Sequence, residues 1–161
     1  MSTHNVYVRK DLTLRRARAA DVARIRDVVT LAYAKYIERI GRKPPAMSAD
    51  LARAIDEHQV WVVDHGDALV GVLELVPHEG DLLIENVAVR PSHHAQGIGR
   101  MFVQLAESEA AKQKSAAVRL AFDERCVEAL TLCKSLGYLE AHRDPRQQTL
   151  VRLAKSITKR A

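Results

Sequence analysis

Val87-Ala88-Val89-Arg90-Pro91-Ser92-His93-His94-Ala95-Gln96-Gly97-Ile98-Gly99-Arg100 decides how this chain folds. Leu82 to Val89 is a run that reads as a strand. Pro91 has no N–H to donate and biases Arg90 away from helix, so regular structure stops there. Beyond Gly97, the residues Ile98, Met101, Phe102, Leu105 and Ala106 form the stripe of an amphipathic helix. The segment is therefore strand, loop, Gly-x-Gly, helix. Glycines at a helix start let a ligand approach the backbone closely. The free N–H groups of the first turn, aided by the helix dipole, attract phosphate. Two common phosphate motifs do not fit. A P-loop needs Gly-Lys-Ser/Thr, but Gly99 is followed by Arg100-Met101, and the dinucleotide fingerprint needs a third small residue where Phe102 stands.

Outward from this stretch the chain alternates strands and helices. Leu12 to Arg18 reads as a strand. Asp21 opens a helix whose apolar positions are Val22, Ile25, Val29, Ala32, Tyr36 and Ile40, and Gly41 with Pro44-Pro45 ends it. A shorter helix, with Ser48 as its expected cap, runs through Leu51, Ile55 and His58. Val60–Val63, Ala68–Val76 and Leu82–Val89 read as a meander of strands. After the Gly-x-Gly helix come a strand over Ala116–Phe122, a helix over Glu124–Leu136 closed by Gly137, and strands over Tyr138–Arg143 and Gln148–Leu153. One mixed sheet covered by helices is the simplest α/β architecture for this order. Residues 1–11 read as a polar extension, 12–154 as one domain and Lys155 to Ala161 as a basic tail.

The length of 161 residues fits one domain with its own core, and 47% apolar with 28% charged residues excludes a disordered or collagen-like chain. The longest apolar runs, Val60–Val63 and Leu69–Val76, fall far short of the ~20 residues of a spanning helix, so no membrane role is expected. Met1 to Asp11 lacks the apolar core of a secretory signal. Cys126 and Cys133, seven residues apart on one helix, cannot bridge, which together with the missing signal suggests a cytoplasmic protein. The net charge of +5 suits a polyanionic small molecule. With two Phe, one Trp and four Tyr, the chain lacks the stacking residues of a single-strand nucleic-acid binder, and no nucleic-acid partner is expected. His93-His94 lack metal-ligand spacing, so no metal is expected.

Val87 to Arg100 closely resembles the acetyl-CoA signature of the GNAT acyltransferases: a strand, x-Pro-x-x, then Arg/Gln-x-x-Gly-x-Gly/Ala opening a helix. Leu14-Arg15-Arg16-Ala17 with Asp21 is similar to that family's opening, Val70-Gly71 to its third strand, and Leu132 to Tyr138 to its closing motif. The resemblance implies a mixed sheet of about seven strands flanked by about four helices. It implies acetyl-CoA as cosubstrate, cradled by the amides of His94, Ala95, Gln96, Gly97, Ile98, Gly99 and Arg100, with the backbone of Val87, Ala88 and Val89 along the pantetheine arm. Glu85 stands where some members place the general base, and alternation would put it on the face of Val87 and Val89. Cys133 falls where the family often has the Tyr that protonates the leaving thiolate, and His94 where it has Arg or Gln. Tyr33, Tyr36 and Glu38 border the implied acceptor site. The implied activity is acetyl transfer to an amine of a small molecule or protein, by a monomer or homodimer. The alternative is a non-catalytic acyl-CoA-binding module that has lost turnover with the Tyr.

Overall fold

The computed structural model describes residues 11–157. Residues 1–10 and 158–161, which hold most of the expected polar extension and the end of the expected tail, lie outside the described residues. Seven strands form one sheet: β1 (Leu12–Arg16), β2 (Gln59–His65), β3 (Ala68–His78), β4 (Asp81–Val89), β5 (Ala117–Asp123), β6 (Leu139–Glu140) and β7 (Leu150–Ser156). Four helices accompany it: α1 (Val22–Ile40), α2 (Leu51–Glu57), α3 (Ile98–Lys112) and α4 (Val127–Ser135). The spatial order is β1-β2-β3-β4-β5-β7-β6. β1 to β4 form an antiparallel meander, β5 joins β4 in parallel after the α3 crossover, and β7 pairs antiparallel with both β5 and β6.

Three local expectations change. The cap of α2 is Asp50, whose carboxylate accepts the Arg53 N–H at 3.1 Å, while Ser48 ends a separate 3-10 turn over Pro45–Ser48. Pro44-Pro45 sets that turn, so Ser48 is used up before the helix begins. β6 shrinks to Leu139–Glu140 because it is the edge strand and β7 alone holds it. β7 continues through Lys155 and Ser156, which pair with Val118 and Ala117, so the basic end of the chain starts as sheet.

The sheet separates two cores. Ile25, Val28 and Val29 of α1 pack with Leu51 of α2 on Val62, Leu69 and Val72. On the other face Phe102 and Leu105 of α3, with Leu130 and Cys133 of α4, pack on Leu73, Leu75, Val118 and Leu153. Gly71 makes the second core possible. A Cβ there would lie 2.9 Å from Cε2 of the fully buried Phe102 and 3.4 Å from Ile98 Cγ2. The helix that carries the Gly-x-Gly turn thus rests directly on bare backbone. Gly71→Ala is expected to overpack this contact and destabilise the protein by ~1–3 kcal/mol, read as a lowered Tm.

Asp21 fixes the start of α1. It is buried and accepts two bonds from Arg15 (2.8 and 2.9 Å), one from Arg24 (2.6 Å) and one from the Arg18 N–H (2.7 Å). Arg15 also donates from Nε to Asp64 at 2.7 Å, tying β1, β2 and the helix start together.

Candidate active site

β4 and β5 pair only at Leu82–Leu83 with Val118–Arg119; beyond that point they part. The register says what the parting exposes. The Arg90 N–H donates to the Val70 carbonyl at 2.8 Å, so Arg90 and Val70 form a hydrogen-bonded pair. Counting back along the antiparallel ladder, Ala88 and Asn86 also turn their N–H and C=O to β3. The peptide groups of Val87 and Val89 therefore face the opposite edge, into the split. Two side chains meet their carbonyls there: the Tyr33 hydroxyl reaches Val87 O at 3.1 Å, and His94 Nε2 donates to Val89 O at 2.8 Å. A carbonyl can only accept, so His94 carries its proton on Nε2.

The loop at the end of β4 delivers the chain into α3 through two left-handed residues, Ala95 (φ 60°) and Gly97 (φ 82°). A non-glycine in that region is strained, a cost usually met at binding loops. Gly97 is the N-cap of α3, and no side chain caps the helix. The first-turn amides of Ile98, Gly99 and Arg100 precede the first intrahelical bond, Met101 N–H to Gly97 O at 3.0 Å, and stand ready for an anion. A Cβ on Gly97 would meet nothing within 4 Å, so the space in front of the turn is open.

Split and helix start line one cleft of about 540 Å³, inside the usual range for small-molecule sites. Of the residues singled out in the sequence, Tyr33, Tyr36, Val87, Ala88, Val89, His94, Ala95, Gly97, Ile98, Gly99 and Arg100 line it. Gln96 lies within the loop but off the wall, and Glu38 is exposed on α1. Phe122 of β5 and Ala129 and Leu132 of α4 complete the apolar wall. At the far end Arg39 makes a two-pronged bond to Glu128 (2.7 and 2.8 Å) and Arg125 donates to the Arg39 carbonyl at 3.2 Å, fastening α1 to α4. Arg39 and Lys35 also stand over the Tyr36 ring, 5.6 and 5.0 Å from its centre. Burial pushes the Tyr36 hydroxyl up to about 12.

The structure places two residues differently from the sequence reading. β4 carries a bulge: Glu74 opposes Asn86 and Leu75 opposes Ile84, leaving Glu85 as the extra residue. Ile84 packs on the α3 side of the sheet, as does Val87 three residues later, so simple alternation fails across this point. Glu85 is exposed at this bulge and is not among the residues that line the cleft. Cys133 is 2% exposed in the core beneath α3 and does not line the cleft. Burial pushes its thiol up to about 11. Among the described residues no group of three or more His, Cys, Asp or Glu is placed to hold a metal ion, and no helix is long and apolar enough to cross a membrane.

A family model described as an acetyltransferase (GNAT) domain matches residues 56–140, more than half of the chain. The chain belongs to the GNAT family. Solved GNAT-type structures share its fold. The ribosomal-protein-S18-alanine N-acetyltransferase of Escherichia coli has 17% identity and a TM-score of 0.74, over 93% of this chain and 96% of that one. PaiA N-acetyltransferase of Thermoplasma acidophilum, in complex with coenzyme A, has 16% identity and a TM-score of 0.75, over 90% and 98%. YncA of Salmonella typhimurium, with its cofactor acetyl-CoA, has 18% identity and a TM-score of 0.71, over 94% and 97%. Comparison with curated proteins returns no match. The seven-stranded mixed sheet with four helices expected from the GNAT resemblance is the one observed.

Proposed function

We propose that this protein transfers the acetyl group of acetyl-CoA to an amine of a small molecule or protein by direct attack. The observation that carries this reading is the bared edge of β4, with Val87 and Val89 facing a cleft that ends at the uncapped start of α3. Acetyl-CoA supplies an activated thioester and a pyrophosphate. The amides of Ile98, Gly99 and Arg100, behind the open turn at Gly97, suit the pyrophosphate. The Val87 and Val89 peptides suit the pantetheine amides, as a missing strand would. The Val87 N–H, directed into the split, suits a carbonyl oxygen that gains negative charge during attack.

In the transfer a C–N bond forms and the C–S bond breaks. The amine proton passes to a base, and the thiolate takes a proton from solvent. Glu85 is the carboxylate nearest in sequence to Val87, and its exposure on the bulge suits proton pickup through water. The buried Cys133 thiol supplies no proton in this reading; a thiolate of ordinary pKa ~8.5 is a tolerable leaving group without it. The acceptor enters beside Tyr36.

The test is a CoA-release assay over a panel of amines and amino-terminal peptides, with acetylated product identified by mass. Release with any of them supports transfer; tight acetyl-CoA binding without release supports the non-catalytic module. Glu85→Gln is expected to lower kcat by ~100-fold and to flatten the pH–rate profile, with acetyl-CoA affinity nearly unchanged. A wild-type profile in this variant removes Glu85 from the mechanism.

A further inference from the structure

Tyr33 is a buried tyrosine of α1, and any buried tyrosine needs a partner for its hydroxyl. Its partners here are unusual in position. Oη lies 3.1 Å from Val87 O and 3.1 Å from Asn86 Oδ1. Both belong to the bulged segment of β4, and Tyr33 itself lines the cleft. One hydroxyl hydrogen cannot serve two acceptors fully. Asn86 is 3% exposed, and its Nδ2 has no partner in the orientation that points Oδ1 at Tyr33. Turning the amide over resolves both problems at the tyrosine. Nδ2 then donates to Tyr33 Oη, and the hydroxyl donates to Val87 O. The buried group left unpaired becomes a carbonyl oxygen, which proteins tolerate better than a bare N–H.

The chain of bonds Asn86 side chain, Tyr33 hydroxyl, Val87 carbonyl brackets the Val87 peptide N–H. That N–H lies between the two groups the tyrosine holds. It faces the split, where β5 has left β4 and no neighbouring strand pairs with it, two residues past the bulge at Glu85. We infer that Tyr33 and Asn86 are positioning residues that hold the Val87 N–H toward the reacting end of the cleft. The inference rests on the acetyl-transfer reading above and assigns these residues no contact with the reacting atoms. It gives Tyr33 a different task from contact with the acceptor.

Tyr33→Phe removes one oxygen and keeps the ring. It is expected to lower kcat about 10-fold while KM for acetyl-CoA stays within about twofold. Asn86→Ala is expected to lower kcat by a similar factor, and the double variant by no more than the larger single effect, since both act through one bond chain. A merely structural role would lower Tm and leave kcat in place. A second measurement does not need turnover. Calorimetric affinities for acetyl-CoA and CoA give the contribution of the acetyl group, and Tyr33→Phe is expected to shrink their ratio. With an active wild type, unchanged kcat in Tyr33→Phe overturns the positioning role and leaves acetyl transfer standing. With a wild type that binds both ligands but releases no CoA to any amine, the transfer reading fails, and an unchanged affinity ratio overturns the positioning role separately. A wild type that binds neither ligand overturns both.

Discussion

Gly97→Glu is expected to weaken acetyl-CoA binding by at least about 100-fold, measured by calorimetry. Two effects combine. Gly97 has φ of 82°, a region where most L residues, glutamate among them, are strained by ~1–2 kcal/mol. The carboxylate would also stand before uncapped first-turn amides that otherwise meet a phosphate. Nothing lies within 4 Å of the added Cβ, so the fold itself should persist. Gly97→Asn separates the two effects, because Asn tolerates the left-handed region and adds no charge; its loss should be much smaller. Gly99→Glu is a poorer probe, since a Cβ there would lie 3.3 Å from Leu132 Cδ2 and press α3 away from α4. Unchanged affinity in Gly97→Glu would take the pyrophosphate away from this loop.

Asp21→Asn is expected to cost about 3 kcal/mol of stability, the low end for stranding one partner of a buried ion pair. In a chain of this size that corresponds to a Tm roughly 6–12 °C lower. The asparagine keeps the shape but removes the charge that Arg15 and Arg24 share. A pH signature accompanies it. Hydrogen bonds from Arg15 first of all hold the Asp21 carboxyl well below the usual range, against the opposing effect of burial. As pH falls, the unfolded chain therefore takes up this proton before the folded one. The stabilisation is complete above the ordinary carboxylate pKa of ~3.9 and drains away below it, toward the folded value. Denaturation midpoints followed from pH 6 to pH 3 should fall less steeply in Asp21→Asn than in the parent. Equal slopes would mean that other carboxylates carry the acid sensitivity.

What the sequence revealed of this site is what depends on neighbours along the chain. The turn from His94 to Gly99 announces itself because Pro91, Gly97 and Gly99 each leave a conformational mark within a few residues. Asp21 and Gly41 mark the ends of α1 for the same reason. Glu85 shows the limit. Its facing depends on a bulge set by how β4 pairs with Glu74 and Leu75 of β3, and no pattern within β4 alone encodes that pairing. Cys133 shows another. A helix stripe tells which face is apolar but not which neighbour covers it, and here the cover is the α3 core. The bond from Tyr33 to Val87 spans 54 residues and the one from Arg39 to Glu128 spans 89, so neither leaves any trace in local spacing.

That last bond has a consequence for how wide the cleft stands. The β1–β4 half of the sheet and the β5–β7 half share two ladder positions and the crossover helix, and across the mouth Arg39 latches them through Glu128. The Arg39 guanidinium holds the Glu128 carboxyl down at about 2, so acidification through the ordinary carboxylate range leaves the latch charged. Both side chains face water, and at 1 M salt the screening length shrinks to ~3 Å. Ionic strength, rather than acidity, is thus the solution variable expected to loosen this latch, and concentrated salt should speed the entry and exit of whatever the cleft admits.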